Sequence, residues 1–261
     1  MAKSNDTISK TLIVAFLLCI VCAVVVAGSA VALKPQQVKN KELDRRSNIL
    51  LAAGLLEPNQ VTADKVTELF KKVTVKAVDL RTGEFTDAVN PDSYNQMKAA
   101  SDPDMSKVLK NDPAGIKRRE NISLVYLIGN VDHPDKIILP VRGYGLWSTM
   151  YGFLALEGDA NTVAGFGFYQ QGETPGLGGE VDNPNWKALW PGKEIYADNS
   201  MDPEIHLVKG GVSPQTPNAE NKVDALAGAT LTSRGVTHLL QYWLGRDGFG
   251  PFLEKYRSEG A

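Results

Sequence analysis

Residues Thr11 to Leu33 form an uncharged, almost wholly apolar run, TLIVAFLLCIVCAVVVAGSAVAL. A helix rises about 1.5 Å per residue, so about 20 apolar residues cross the roughly 30 Å hydrocarbon core of a bilayer. The run is long enough to span a membrane. It divides the chain into an N-terminal tag (1–10), a transmembrane helix (11–33), a polar stalk (34–46) and a body reaching residue 261. The body therefore works at a membrane surface. A cleaved secretory signal is the rival reading. Its apolar core is shorter, about 7–15 residues, although Ala30-Val31-Ala32 has the small side chains of a cleavage site.

Cys19 and Cys22 are the only cysteines and both lie inside the apolar run. In hydrocarbon they read as inert apolar side chains rather than a metal or redox pair. The body thus offers no disulfide and no cysteine-ligated cluster. A net charge of −2 leaves no basic footprint for nucleic acid. Charge also bears on orientation. Lys3 and Lys10 precede the span, whereas Lys34, Lys39, Lys41, Arg45 and Arg46 follow it. A positive-inside count puts the body in the cytoplasm, yet long domains translocate largely regardless of flanking charge.

Patterning predicts an α+β body with a mainly antiparallel sheet and packed helices. Ser47 to Leu56 reads as a short helix, and Thr62 as the cap of a second one carrying Val66, Leu69, Phe70 and Val73 on one face. Strands are predicted at Val75–Asp79, Ile122–Ile128, Lys136–Val141, Met150–Leu156, Ala164–Gln170 and Ile205–Lys209. Met150–Leu156 and Ala164–Gln170, joined through a turn that includes Glu157-Gly158-Asp159-Ala160, suit an antiparallel hairpin. Thr86 to Arg119 is a polar excursion with a short helix. A last long helix begins near Ser233, with Val236, Leu239, Leu240, Trp243 and Leu244 at helical spacing and Gly245 as its stop. A final short helix is predicted over Phe249–Tyr256.

Two segments carry chemistry. Glu173-Thr174-Pro175-Gly176-Leu177-Gly178-Gly179 is a tight loop whose glycines allow close backbone approach to a flat ligand. Its bland reading is a strand-to-helix connection. Asp224-Ala225-Leu226-Ala227-Gly228-Ala229-Thr230-Leu231-Thr232-Ser233 runs into the last long helix, with Thr232 or Ser233 as the helix cap. Free amides and the helix dipole at such a terminus suit a phosphate; the bland reading is a capped helix start. The three histidines are scattered, no spacing suggests a metal site, and no substrate-level catalytic set is present. A strand–GxGxxG–helix dinucleotide fingerprint is lacking as well.

Together the two segments resemble the FMN-binding domain family, whose flavin is joined through its phosphate to a threonine. That family's acceptor motif runs Asp, two variable residues, a small residue (usually Ser or Thr), Gly, Ala, Thr, matched here by Asp224 through Thr230. Ala227 at the small position is the one departure. The family's glycine-rich flavin loop is matched by Glu173, Thr174, Pro175, Gly176, Leu177 and Gly178, and Gly143-Tyr144-Gly145-Leu146-Trp147 lies upstream. The resemblance covers roughly Lys136 to Gly245. Within the family, the single span, the Ile49–Leu56 segment and the length resemble the C subunits of sodium-translocating NADH:quinone oxidoreductases, with the G subunits of Rnf electron-transport complexes as near relatives. The polar insertion from Thr74 to Arg119 favours the former.

The resemblance implies a body divided into an N-terminal part (47–135) and an FMN-binding domain (136–261). It implies covalent FMN on Thr230, attached by a flavin transferase during maturation, with Asp224, Gly228 and Ala229 completing the acceptor motif. Glu173, Thr174, Gly176, Leu177, Gly178, Leu146 and Trp147 would line the cofactor. It further implies electron relay among the other subunits of a membrane oxidoreductase complex, embedded in lipid in the bacterial inner membrane, with the body on the periplasmic side. An anchored binding module with no redox role is the alternative from a different class.

Overall fold

A computed structural model describes residues 7–197 and 200–258. Part of the expected N-terminal tag, residues 1–6, lies outside them. The chain forms two compact units, Met1–Asp44 and Arg45–Ala261.

The first helix, α1, runs Ile8–Ala52. Span, stalk and the expected short helix are thus one element. Its apolar stretch is long enough to cross a membrane by length and composition. Past Pro35 no further proline or glycine interrupts the helical pattern before Gly54, and the Gln36 amide donates to Asn40 Oδ1 at 2.8 Å, one turn on. The helix stops where Gly54 takes φ +70. The Leu55 amide then bonds back to the Leu50 carbonyl at 2.9 Å, as in a left-handed C-cap. Ile49, Leu50 and Ala53 at this end are fully buried within the second unit.

In the body, α2 (Ala63–Phe70) is capped by Thr62, whose side chain accepts from the Lys65 amide. Then follow β1 (Val73–Asp79), β2 (Glu84–Phe85), α3 (Gln96–Ser101), β3 (Ser106–Val108), β4 (Arg118–Glu120), β5 (Ile122–Gly129), β6 (Pro134–Tyr144), β7 (Thr149–Glu157) and β8 (Val163–Gln170). After these come α4 (Pro184–Lys187), β9 (His206–Val208), β10 (Lys222–Asp224), α5 (Thr230–Leu244) and α6 (Gly250–Ser258). Six strands form one antiparallel sheet in the order β2-β1-β5-β6-β7-β8. It is continuous from the polar insertion's flanking strands into the hairpins that follow.

Register decides which side chains share a face. Leu127, Ile137 and Leu156 stand opposite one another across β5, β6 and β7, as do Leu139, Leu154 and Phe166 across β6, β7 and β8. These belong to the main core with Val236, Leu239, Leu240 and Trp243 of α5 and Phe249, Phe252 and Leu253 around α6. Leu124, Tyr126, Ile138 and Phe153 are buried too, and the two-residue alternation places them on the opposite face.

Helix α5 lies against the end of β6 at a separation only glycine permits. A Cβ on Gly143 would come within 2.8 Å of Leu239 Cβ, and one on Gly235 within 2.5 Å of the Tyr144 carbonyl oxygen. Trp243 Nε1 donates to the Arg142 carbonyl at 2.7 Å. Arg142 also faces Glu120, donating at 2.9 Å and 2.5 Å to its two oxygens. Glu120 is fully buried and Arg142 only 8% exposed, so this pair ties the insertion to the sheet in low dielectric.

Removing one partner of such a pair strands a charge. Arg142→Met should lower unfolding stability by about 3–5 kcal/mol, read as a shift in denaturant midpoint. Breaking the more exposed Lys136–Glu157 pair with Lys136→Met should cost under about 1 kcal/mol. Gly235→Ala, which pushes α5 off the strand, should cost about 1–3 kcal/mol in the same assay.

Candidate functional site

The site is built where three segments distant in sequence meet: the β6–β7 turn, the loop after β8 and the first turn of α5. In the β6–β7 turn the Gly145 amide bonds to the Ser148 carbonyl at 2.9 Å. This turns the amides of Leu146, Trp147 and Ser148 inward. The Glu173 carboxylate accepts from them at 3.1, 3.0 and 3.2 Å. It also accepts from the Thr232 hydroxyl at 2.6 Å. Burial pushes the Glu173 carboxyl up; the Thr232 hydroxyl and the amides of Trp147, Leu146 and Ser148 outweigh it, so its pKa lies below the ordinary value.

The loop after Glu173 folds back on itself. The Thr174 carbonyl accepts from the amides of Leu177 and Gly179 at 3.1 and 2.9 Å, and Gly176 takes φ +75. Thr174, Gly176 and Leu177 are exposed, while Gly178 is buried against Thr232 and Glu173. Leu177 reaches over the acceptor loop: a Cβ on Gly228 would lie 3.0 Å from Leu177 Cδ2. Gly228 needs its freedom for another reason, since it takes φ +72.

Helix α5 starts at Thr230, three residues before the expected boundary, and no side chain caps it. The expected caps are committed elsewhere. Thr232 bonds to Glu173, and Ser233 Oγ accepts from the Leu226 amide at 3.0 Å. The uncapped first-turn amides and the helix dipole therefore remain available to an anion. Both committed hydroxyls are buried, Thr232 at 1% and Ser233 at 4% exposure. Thr230, at the helix start, is exposed, and Ala229 beneath it is buried.

Asp224 closes β10, which pairs in parallel with β9. Its Oδ1 accepts from the Val212 amide at 2.6 Å, and its carbonyl accepts from Trp186 Nε1 at 3.0 Å. The residue thus shapes the entry to the acceptor loop through its own bonds.

Around these polar groups stand exposed apolar side chains: Trp147 at 65%, Leu231 at 52%, Leu177 at 44% and Leu146 at 38% exposure. The arrangement fits a flavin nucleotide. Thr230 offers an exposed hydroxyl and a helix terminus to the phosphate end, and Leu146, Trp147 and Leu177 offer apolar cover to a flat ring. Sequence reasoning missed Gly145, Ser148 and Leu231. Gly145 alone carried a signal, as part of the Gly-Tyr-Gly triplet before Leu146: a Cβ there would come within 2.6 Å of Glu173 Oε1.

The FMN-binding domain family matches residues 145–245. The C subunit of the Na(+)-translocating NADH-quinone reductase from Pseudomonas aeruginosa is 55% identical, with all of both chains covered. The protein of the same name from Vibrio anguillarum is 47% identical over 100% of this chain and 99% of its own. The crystal structure of Shewanella oneidensis NqrC superposes with a TM-score of 0.74 at 34% identity, covering 84% of this chain and 99% of that one. Matched from end to end and identical at more than half of its positions to one such relative, the chain belongs to the NqrC family, the C subunits of the Na(+)-translocating NADH-quinone reductases.

Proposed function

We propose that this chain, a membrane-anchored flavoprotein subunit of a sodium-translocating NADH:quinone oxidoreductase, carries its FMN joined through the phosphate to Thr230. The carrying observation is the contrast among neighbouring hydroxyls: Thr230 is exposed, whereas Thr232 and Ser233 are buried and hydrogen-bonded. A transferase acting from solvent reaches only the first. In the attachment step the Thr230 hydroxyl loses its proton and an Oγ1–P bond forms, while the activated flavin nucleotide brought by the transferase gives up the leaving group on its phosphate. Asp224, Gly228 and Ala229 present that hydroxyl.

FMN held there supplies a group that takes up and passes on electrons. The residues of this chain bind, orient and shield. The first-turn amides of α5 meet the phosphate, Leu146, Trp147 and Leu177 cover the ring, and the Thr174–Gly178 backbone brings the loop close without side-chain obstruction. NADH oxidation and ion movement belong to other subunits of the complex. This chain has no dinucleotide fingerprint, and its one uncharged span offers no polar path through a bilayer.

Family membership and the exposed helix terminus support flavin transfer by a dedicated enzyme. The body works on the periplasmic side of the inner membrane, a reading that rests on the family resemblance and that the flanking charge does not oppose, because long domains translocate largely regardless of it. Lipid surrounds the apolar part of α1.

Thr230→Val should abolish the flavin fluorescence that survives denaturing electrophoresis. A native digest of the unaltered protein should give the Thr230 peptide heavier by FMN less water. An unmodified peptide from an assembled, active complex would overturn the reading. Alkaline phosphatase fused after the body should be active and green fluorescent protein dark; the reverse puts the body in the cytoplasm.

A further inference from the structure

Glu173 occupies a place where the sequence leads one to expect a cofactor contact, yet its carboxylate is turned inward. It is 5% exposed, and both oxygens are engaged: Oε1 by the Leu146, Trp147 and Ser148 amides, Oε2 by the Leu146 amide and the Thr232 hydroxyl. The space around it is kept clear by glycine. A Cβ on Gly145 would lie 2.6 Å from Oε1; one on Gly178 would lie 2.6 Å from Thr232 Oγ1 and 2.8 Å from Oε2.

We propose that Glu173 is a positioning residue for flavin attachment, holding the Leu146–Trp147 segment and the first turn of α5 at a fixed separation through Thr232. This rests on Thr230 as the attachment site. One carboxylate, 59 residues before Thr232 in sequence, joins that residue to the Leu146–Ser148 backbone. On one side it fixes the backbone that carries Leu146 and Trp147. On the other it fixes the residue two positions after Thr230. Bonds to an ionised acceptor are roughly twice as strong as neutral ones, and here they replace the solvation that burial removes. The dependence is mutual, because a buried hydroxyl without a partner is penalised. Loss of either group therefore frees the acceptor turn from the apolar segment. Thr230 then meets the transferase in several orientations, and a flavin once attached lies less closely against Trp147 and Leu177.

The test uses the full chain, co-expressed with a flavin transferase and purified in detergent. Covalent flavin per chain is read from fluorescence in denaturing gels, and ring shielding from quenching of the folded protein's flavin by iodide. Thr232→Val is nearly isosteric and lacks the hydroxyl; Thr232→Ser keeps it. With Thr232→Val, loading at a fixed short induction time should fall about tenfold, as expected for one charged hydrogen bond, and iodide should quench more strongly. Thr232→Ser should match the unaltered chain in both readings. Glu173→Gln should behave as Thr232→Val does, and the double variant should be no worse than either single one, because both remove the same link. Unchanged loading and quenching in Thr232→Val would overturn the proposal while leaving Thr230 as the attachment site. Retained covalent flavin in Thr230→Val would instead overturn the attachment reading. Should Glu173→Gln fail to fold, the Thr232→Val and Thr232→Ser pair decides alone.

Discussion

The close seat of α5 on β6 is the constraint on which the rest of the structure depends. Gly143 and Gly235 let helix and strand approach to distances at which any Cβ would overlap Leu239 or the Tyr144 carbonyl. Trp243 Nε1 fastens the same helix to the Arg142 carbonyl further along, and the Tyr196 hydroxyl meets the Leu244 carbonyl at 2.7 Å near its end. A helix pinned at several points along its length cannot slide or roll independently of the sheet. Its first residue, Thr230, is thereby placed relative to the turn that follows β6. That turn is the one carrying Leu146 and Trp147, so the positions of Thr230 and of these two apolar side chains have one origin.

Arg142 extends this constraint to the polar insertion. Its carbonyl receives Trp243, its guanidinium lies 5.1 Å from the Trp243 ring centroid, and its side chain reaches Glu120 at the end of β4. Gln96 of α3 donates to the same Glu120 carboxylate at 2.5 Å. A buried ion pair is weak evidence for net stability, because desolvation of both charges offsets their attraction. It does penalise every arrangement in which the partners are apart. The insertion is polar and offers few apolar side chains to bury, so a directional, all-or-none contact is a physically apt way to fix it to the sheet.

Much of this is legible in the sequence. The apolar run, the five long strands and the stripe of Val236, Leu239, Leu240, Trp243 and Leu244 announce themselves because burial imposes a period on them. What stays hidden lacks a period. β2, β3, β4 and β10 are two or three residues each, too short for alternation to register, whereas β9 lies inside the predicted Ile205–Lys209 strand. The continuity of α1 through the stalk is hidden because a change from apolar to polar composition resembles a change of element. The start of α5 is hidden for a different reason. Thr232 and Ser233 are both good caps by residue type, and only the folded chain shows that Glu173 and the Leu226 amide claim them first. The same long-range bond holds the Glu173 carboxylate inward. Here local preference yields to tertiary partners, a buried carboxylate for Thr232 and a buried backbone amide for Ser233.

Charge balance at the acceptor turn follows from these positions. A buried carboxylate beside the residue two positions after Thr230 would ordinarily repel a phosphate at the same helix end. Here three amides of the β6–β7 turn and one hydroxyl already surround Glu173, so its negative charge is met by donors that belong largely to another segment. The first-turn amides of α5 are left for a second anion. The type of linkage matters too. A phosphate monoester carries about −1.5 to −2 near neutral pH, whereas a phosphate joined to both a flavin and Thr230 has one fewer ionisable oxygen and carries a single charge. The proposed ester would thus lower the charge that shares the helix terminus with Glu173, and the tether would remove the need for that terminus to hold the nucleotide by attraction alone.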